Sequence, residues 1–328
     1  MRSLPQVRPK AAPKSVRISL TDRCDLACVY CRPHRHERYL EERLDLDSWK
    51  SMVRGLVRAG IRRVRITGGE PLLHPQLLDM VSFLASVGLD DLALTTNATR
   101  LEKLANPLRE AGLQRLNLSL DSLDPAVFAR LTRGGDLGAV LRGVDAAVQG
   151  GFAELKLNAV VVRGENDREL ERLVHFCWER DITPRFLEIM SIGDGATMMD
   201  KLVTVREMRE TLRPLLAHDD PPVPEADRGP ARYIRSRDGG AKRVGFISGT
   251  SDTFCAACDR LRVASDGVLR PCLATNEGVS AAADARAGDA ESVARKLDVA
   301  WESKPDGTTW KGCTEPTASL VSIRHIGG

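Results

Sequence analysis

From residue 16 to about residue 216, short runs of β-branched and apolar residues alternate with stretches of helical periodicity, the pattern of βα units around a parallel sheet. Strands are predicted over 16–20, 63–67, 92–96, 116–120, 155–161 and 184–189. A helix opens at Asp45 or Asp47, carries Leu46, Trp49, Met52, Val53, Leu56 and Val57 at helical spacing, and stops at Gly60. A parallel sheet covered on both faces reads as continuous apolar runs. These strands alternate instead, with Arg17 and Ser19, then Arg63, Arg65 and Thr67, then Asn117, Ser119 and Asp121, then Lys156 and Asn158 at the polar positions. One face is therefore polar and basic. An α/β partial barrel fits this pattern, with helices over the outer face and a wet cavity inside, large enough for a charged ligand. A closed barrel filled with aliphatic side chains does not. Exposed arginines on an open, twisted sheet are the plainer alternative.

The pattern changes after residue 216. Pro221, Pro222 and Pro224, with acidic neighbours, mark a surface linker over 217–232 between the barrel (15–216) and a C-terminal region (233–328). That region contains an Ala-rich helical stretch over 281–297 and closes on Gly327-Gly328. Residues 1–14 are basic and Pro-rich, are expected to form a flexible tail, and lack the apolar core of a secretory signal.

Charge narrows the class of partner. The 328 residues carry 48 Lys and Arg against 45 Asp and Glu, a formal charge of +3, so no global pull toward nucleic acid follows. No apolar run approaches a membrane span, and a cytoplasmic location is expected. Unpaired thiols at metal-ligand spacing suit that reducing compartment.

The chain has 8 cysteines, and six of them form two incomplete quartets. Cys24, Cys28 and Cys31 read Cys-x3-Cys-x2-Cys, three thiolates where a closed four-iron cluster takes four. One iron is left open, and an open iron can take a ligand that is itself a reactant. Cys255, Cys258 and Cys272 read Cys-x2-Cys-x13-Cys and again offer three. Zinc is the competing reading for either triad, with His34 or His36 completing the first. Cys177 falls on the buried face of a helix and reads as core, and Cys313 has no partner at ligand spacing.

Two further motifs carry chemistry. Gly68-Gly69-Glu70-Pro71 follows a strand directly, where glycines let backbone approach a ligand closely and Glu70 can accept hydrogen bonds from an ammonium group. Arg260 and Arg262 alternate just after Cys258, which aims both guanidinium groups one way in an extended segment. With Arg17, Arg63, Arg65, Lys156 and Arg185 they can neutralise a polyphosphate inside the barrel.

These stretches resemble the GTP 3′,8-cyclase family of molybdenum-cofactor biosynthesis, within the radical S-adenosylmethionine (radical SAM) enzymes, over nearly the whole chain. The resemblance rests on Arg17-Ile-Ser-Leu-Thr-Asp-Arg-Cys24, Arg65-Ile-Thr-Gly-Gly-Glu-Pro71, Thr95-Thr96-Asn97 and Asn117-Leu-Ser-Leu-Asp121. It rests equally on Arg185-Phe-Leu-Glu-Ile-Met190, Phe254-Cys255-x-x-Cys258-x-Arg260-x-Arg262 and the terminal double glycine. It implies a partial (β/α)6 TIM-like barrel of the radical SAM type, with a C-terminal extension carrying a second cluster. It further implies two 4Fe-4S clusters with three cysteine ligands each, and SAM bound at the first, near Tyr30, Gly69, Glu70, Ser119 and Met190. GTP is implied at Arg17, Arg63, Arg65, Thr96, Lys156, Arg185, Arg260 and Arg262, with Arg17, Gly327 and Gly328 catalytic and the guanine base at the second cluster. In the implied reaction, a radical derived from SAM takes the hydrogen from ribose carbon 3′, and that carbon attacks carbon 8 of guanine. Implied partners are a reduced flavodoxin- or ferredoxin-type donor and a downstream cyclic pyranopterin monophosphate synthase, with the chain a monomer or homodimer that binds neither nucleic acid nor membrane. Arg32, Ala98, Ser191 and Asp259 depart from the family pattern, as does the tail with Trp301, Trp310 and Cys313. A peptide-modifying radical SAM enzyme with auxiliary clusters and a non-enzymatic zinc module are the alternatives.

Overall fold

The computed structural model describes residues 12–32, 38–217, 223–224, 229–252, 254–255, 258–275 and 277–305. The alternating part begins with β1 (Ser15–Ser19), α1 (Leu46–Arg58), β2 (Arg63–Thr67), α2 (Leu77–Ser86) and β3 (Asp91–Thr96). It continues through α3 (Leu101–Glu110), β4 (Arg115–Ser119), α4 (Pro125–Thr132), α5 (Leu137–Gln149), β5 (Glu154–Val160), α6 (Leu170–Trp178) and β6 (Thr183–Leu187). All six predicted strands are present, β2 with the predicted bounds and the others within a residue or two of them, and β1 to β6 pair in parallel in sequence order.

Alternation sorts the two faces. Val16 and Ile18 of β1, Val64 and Ile66 of β2 and Leu116 and Leu118 of β4 join the core beneath the helices, leaving Arg17, Arg65 and Asn117 on the other face. The first helix shows how the sequence sets an element: Asp45 caps α1 by accepting from Ser48 N at 2.8 Å, and Asp47 lies in its first turn, where a negative charge suits the helix dipole. Gly60 follows the helix with φ +96°, a conformation that favours glycine. Cys177 is buried in the core, as its spacing predicted.

The remaining elements are α7 (Val205–Thr211), β7 (Val223–Pro224), β8 (Arg232–Arg235), β9 (Arg243–Ile247), β10 (Arg260–Val263), β11 (Val268–Arg270), β12 (Val279–Ser280), α8 (Ala282–Arg286) and α9 (Ala290–Glu302). They extend the same sheet at both edges, giving the order β12-β11-β10-β1-β2-β3-β4-β5-β6-β9-β8-β7. Strand β10 runs parallel beside β1, and β9 runs parallel beside β6. The row stays open because β12 and β7 end it, which is a partial barrel. The stretch expected as a linker over 217–232 contains β7 and the first residue of β8. The helical stretch over 281–297 is two helices, parted at Gly288 with φ +78°. Helix α9 packs on α1, where a Cβ at Gly55 would lie 2.6 Å from Val293 Cβ. Among the described residues no helix is long and apolar enough to cross a membrane.

Candidate active site

The first cysteine triad occupies the loop after β1, at the C-terminal ends of the parallel strands. Its backbone is strapped to the end of α4 by Ala27 N to Thr132 O (3.2 Å) and Val29 N to Leu131 O (2.9 Å). Cys28 O accepts from the amides of Cys31 and Arg32, closing a turn that carries Cys28 and Cys31. Buried Asp22 fixes the loop entrance by accepting from Leu40 N (2.7 Å) and Arg43 Nε (2.6 Å). Tyr30 donates its hydroxyl to Asp121 Oδ2 at 2.6 Å. Burial pushes the Cys24 and Cys28 thiols up, reinforced by the carboxyls of Glu70 at Cys24 and Asp121 at Cys28. Such thiols hold their protons until a cation replaces them.

The Gly-Gly turn approaches this loop more closely than side chains would permit. A Cβ on Gly69 would lie 2.2 Å from Arg23 O and one on Gly68 would lie 2.3 Å from Thr21 O. Gly69 N donates to Thr21 O at 2.6 Å and Glu70 N to Arg23 O at 2.7 Å, so this backbone docks on the cysteine loop itself. Glu70 is 1% exposed and accepts from Leu72 N, Thr96 Oγ1 and Asn97 N at 3.0, 2.7 and 2.7 Å. Its carboxylate is a tie between the ends of β2 and β3, where the sequence suggested an acceptor for a ligand's ammonium. Thr96, expected at the nucleotide, spends its hydroxyl on Glu70 and on Ala98 N. Ser119 ends β4 opposite Asn158, whose Oδ1 is buried with no hydrogen-bond partner among the described residues. Met190 lies beyond the end of β6, so strand alternation does not constrain it, and it packs against Gly249.

The second triad lies at the opposite, N-terminal ends of the strands, before β10 and after β11. Register explains what gathers there. Arg17 of β1 lies between Arg65 of β2 and Arg262 of β10, one row of three arginines across adjacent strands. Ser15 lies between Arg63 and Arg260 in the next row. Arg17, Arg63, Arg65, Arg115, Asp91, Asp259 and Arg260 line one open pocket. Burial, then the neighbouring guanidinium groups, hold Arg65 down to about 9 and Arg262 down to about 10, with Arg17 lowered in the same way. Arg65 Nε is buried without a hydrogen-bond partner among the described residues. Burial raises the Cys258 thiol, but Arg260 and then Lys304 outweigh it and bring Cys258 down to about 7.

Other expected nucleotide contacts have partners inside the protein. Arg63 pairs with Asp259 at 2.5 Å, Arg185 donates to Asn117, and Lys156 pairs with Glu154 at 2.9 Å while facing the Tyr233 ring. Two residues not anticipated join the site. Arg115 at the start of β4 bridges Asp91 and Glu154 at the starts of β3 and β5. Lys304, after α9, donates to Arg260 O and Pro271 O. Gly327, Gly328, Trp310, Cys313, His34 and His36 lie outside the described residues.

The donor sets fit iron–sulfur clusters: each triad offers three half-buried thiols, none of them in a disulfide. Among the described residues no three His, Cys, Asp or Glu side chains converge on a single-ion site. A parallel partial barrel with a thiol triad on the loop after its first strand defines the class, and residues 18–177 match the radical SAM superfamily. Residues 182–310 match Molybdenum Cofactor Synthesis C. The chain is 42% identical over 268 residues to the GTP 3′,8-cyclase of Marinobacter nauticus, covering 80% of each. It is 39% identical to that of Pseudomonas fluorescens, covering 88% of this chain and 89% of the relative, and 36% identical to that of Alkaliphilus metalliredigens, covering 95% and 97%. The chain belongs to the GTP 3′,8-cyclase family. In fold it is similar to Streptococcus suis SuiB bound to S-adenosylmethionine, with a TM-score of 0.62, 17% identity, and coverage of 97% of this chain and 73% of that one.

Proposed function

We propose that this chain is a radical SAM lyase that converts GTP to (8S)-3′,8-cyclo-7,8-dihydroguanosine 5′-triphosphate, the first step of molybdenum-cofactor biosynthesis. The observation that carries this reading is the row Arg262–Arg17–Arg65 beside the second thiol triad. Like charges directly opposite one another destabilise a sheet, and a triphosphate turns that repulsion into binding. Arginine forks match phosphate oxygens bidentately. Arg17, Arg65, Arg260 and Arg262 hold the triphosphate, Lys156 and Arg185 bound the cavity above them, and Arg63 exchanges Asp259 for phosphate. Thr96 acts through Glu70, holding the turn that docks on the first cysteine loop.

Cys24, Cys28 and Cys31 hold the first 4Fe-4S cluster, with Tyr30, Gly69, Ser119 and Met190 around the SAM site. Cys255, Cys258 and Cys272 hold the second, facing the guanine base. Together with SAM, the clusters supply the one-electron chemistry. The protein holds the nucleotide between the two ends of the barrel and excludes water from it. Gly327 and Gly328, with Arg17, are the residues read as catalytic. The reading includes a cytoplasmic location, a flavodoxin- or ferredoxin-type donor, and a cyclic pyranopterin monophosphate synthase taking the product. The peptide-modifying alternative is left with a fold likeness at 17% identity, which speaks for the fold alone.

Anaerobically reconstituted protein is incubated with SAM, a reductant and each nucleoside triphosphate separately, and products are read by chromatography and mass spectrometry. The expected product has the mass of GTP at a new retention time, and only GTP yields it. SAM cleavage without such a product, or equal turnover of another nucleotide, overturns the reading.

A further inference from the structure

The hairpin β10–β11 carries the second thiol triad at its open end. Its ladder pairs Val263 with Leu269 and Arg262 with Arg270, and among the described residues it stops there. Cys258 stands two residues before Arg260 and Cys272 one residue after Pro271, so the ligand-bearing segments begin where the ladder stops. A hairpin end without cross-strand bonds splays. Lys304 closes this one: its Nζ donates to Arg260 O at 2.8 Å and to Pro271 O at 2.7 Å, one bond to each side.

The lysine is itself held in place. It is 8% exposed, its amide donates to Trp301 O at 3.1 Å, and its Nζ lies 5.3 Å from the Trp301 ring centroid. Trp301 and Val293 anchor α9 in the core beside α1. A buried ammonium group is costly to desolvate, and an apolar side chain of similar length would fill the same space without that cost. Only a group with several donors can bond two carbonyls at once, and only a cation adds a fixed positive charge beside the Cys258 sulfur.

We propose that Lys304 is a positioning residue for the second iron–sulfur cluster, clamping the Cys258 and Cys272 segments at ligand spacing and setting the cluster's electrostatic surroundings. The proposal rests on the assignment of Cys255, Cys258 and Cys272 as ligands. A nearby positive charge favours the reduced, more negative state of a cluster, so its removal lowers the reduction potential.

The test uses full-length chains reconstituted anaerobically, with iron and sulfide counted and SAM binding as the measure of the first cluster. A redox titration followed by electron paramagnetic resonance is run with Cys24, Cys28 and Cys31 changed to Ala, so that only the second cluster reports. Lys304→Met is expected to lose at least about half of the second cluster's iron with SAM binding intact. Chains that do load are expected to shift the one-electron equilibrium about tenfold toward the oxidised form, about 59 mV. Lys304→Arg keeps the charge and the donors and is expected to match wild type in both. Wild-type iron and potential in Lys304→Met overturn the proposal, as does failure of Lys304→Arg equal to that of Lys304→Met. Loss of SAM binding together with the second cluster's iron would mark a general folding role and overturn it too. Cys272→Ala tests the ligand assignment separately: full second-site iron in that variant overturns the assignment, and the proposal with it.

Discussion

Glu70 shows how a single buried side chain ties two elements of the site together. Its two oxygens accept from Leu72 N, Thr96 Oγ1 and Asn97 N, joining the turn after β2 to the end of β3. Glutamine offers one acceptor and one donor where two acceptors are needed, so Glu70→Gln must set an amide group against an N–H. We expect a loss of about 1–3 kcal/mol, the cost of one buried unsatisfied group. Urea denaturation checks this, and a wild-type midpoint would show that the site relaxes around the change. The sequence marked Glu70 as important from its place after two glycines, but its partners are brought near only by the pairing of β2 with β3. Arg115 had a fainter signal, a charge one residue before a predicted strand, with Asp91 and Glu154 just before the predicted strands that pair beside it. Lys304 had none, because nothing in its local sequence records a contact with Arg260 O.

At the scale of elements, Glu188 gathers the segments that follow β6 and β9. It accepts from Val205 N at the start of α7 (2.8 Å) and from Thr250 N (2.9 Å) and Ser251 N (2.8 Å) in the loop leading to Cys255. Helix α7 is fastened a second time by a capping box, with Thr204 accepting from Glu207 N and Glu207 from Thr204 N. The Thr204-x-x-Glu207 spacing is legible in the sequence, whereas the Glu188 contacts depend on tertiary approach. Backbone and hydroxyl donors at Thr204, with Arg163, pull the Glu207 carboxyl down to about 2 from its ordinary 4.5. A depressed carboxyl contributes stability that is fully present above its unfolded value and is lost as pH falls through its folded value. Glu207→Gln should therefore be less stable than wild type at neutral pH, and the gap should close between about pH 4.5 and pH 2. Thermal melting of both chains across that range measures it; a gap independent of pH would mean that the carboxylate's charge plays no part.

The whole molecule sets the two thiol triads at opposite ends of the strands. The first triad follows β1 at its C-terminal end, and the second precedes β10, which runs parallel to β1, at its N-terminal end. Ser15 to Ser19 spans about 13 Å at ~3.3 Å per residue, so the arginine rows stand between the two ends. Six βα units and their polar inner face could be read from periodicity, because each is local. The entry of β10 beside β1 could not, since no pattern within either strand names a partner more than two hundred residues away. That pairing is what sets Arg262 beside Arg17. It also sets the experiment that tests a division of labour between the ends. Cys24→Ala, Cys28→Ala or Cys31→Ala should abolish reductive SAM cleavage, because the loop after β1 then lacks a thiolate for the cluster that receives SAM. Cys272→Ala should leave SAM cleavage largely intact and remove cyclised nucleotide, because it alters only the substrate end. Uncoupled cleavage is measured as 5′-deoxyadenosine formed per cyclised product, which should rise by at least about tenfold in Cys272→Ala, equivalent to about 1.4 kcal/mol in the partition. Equal loss of SAM cleavage from both sets, in chains that remain folded by circular dichroism, would mean that the two ends work as one site.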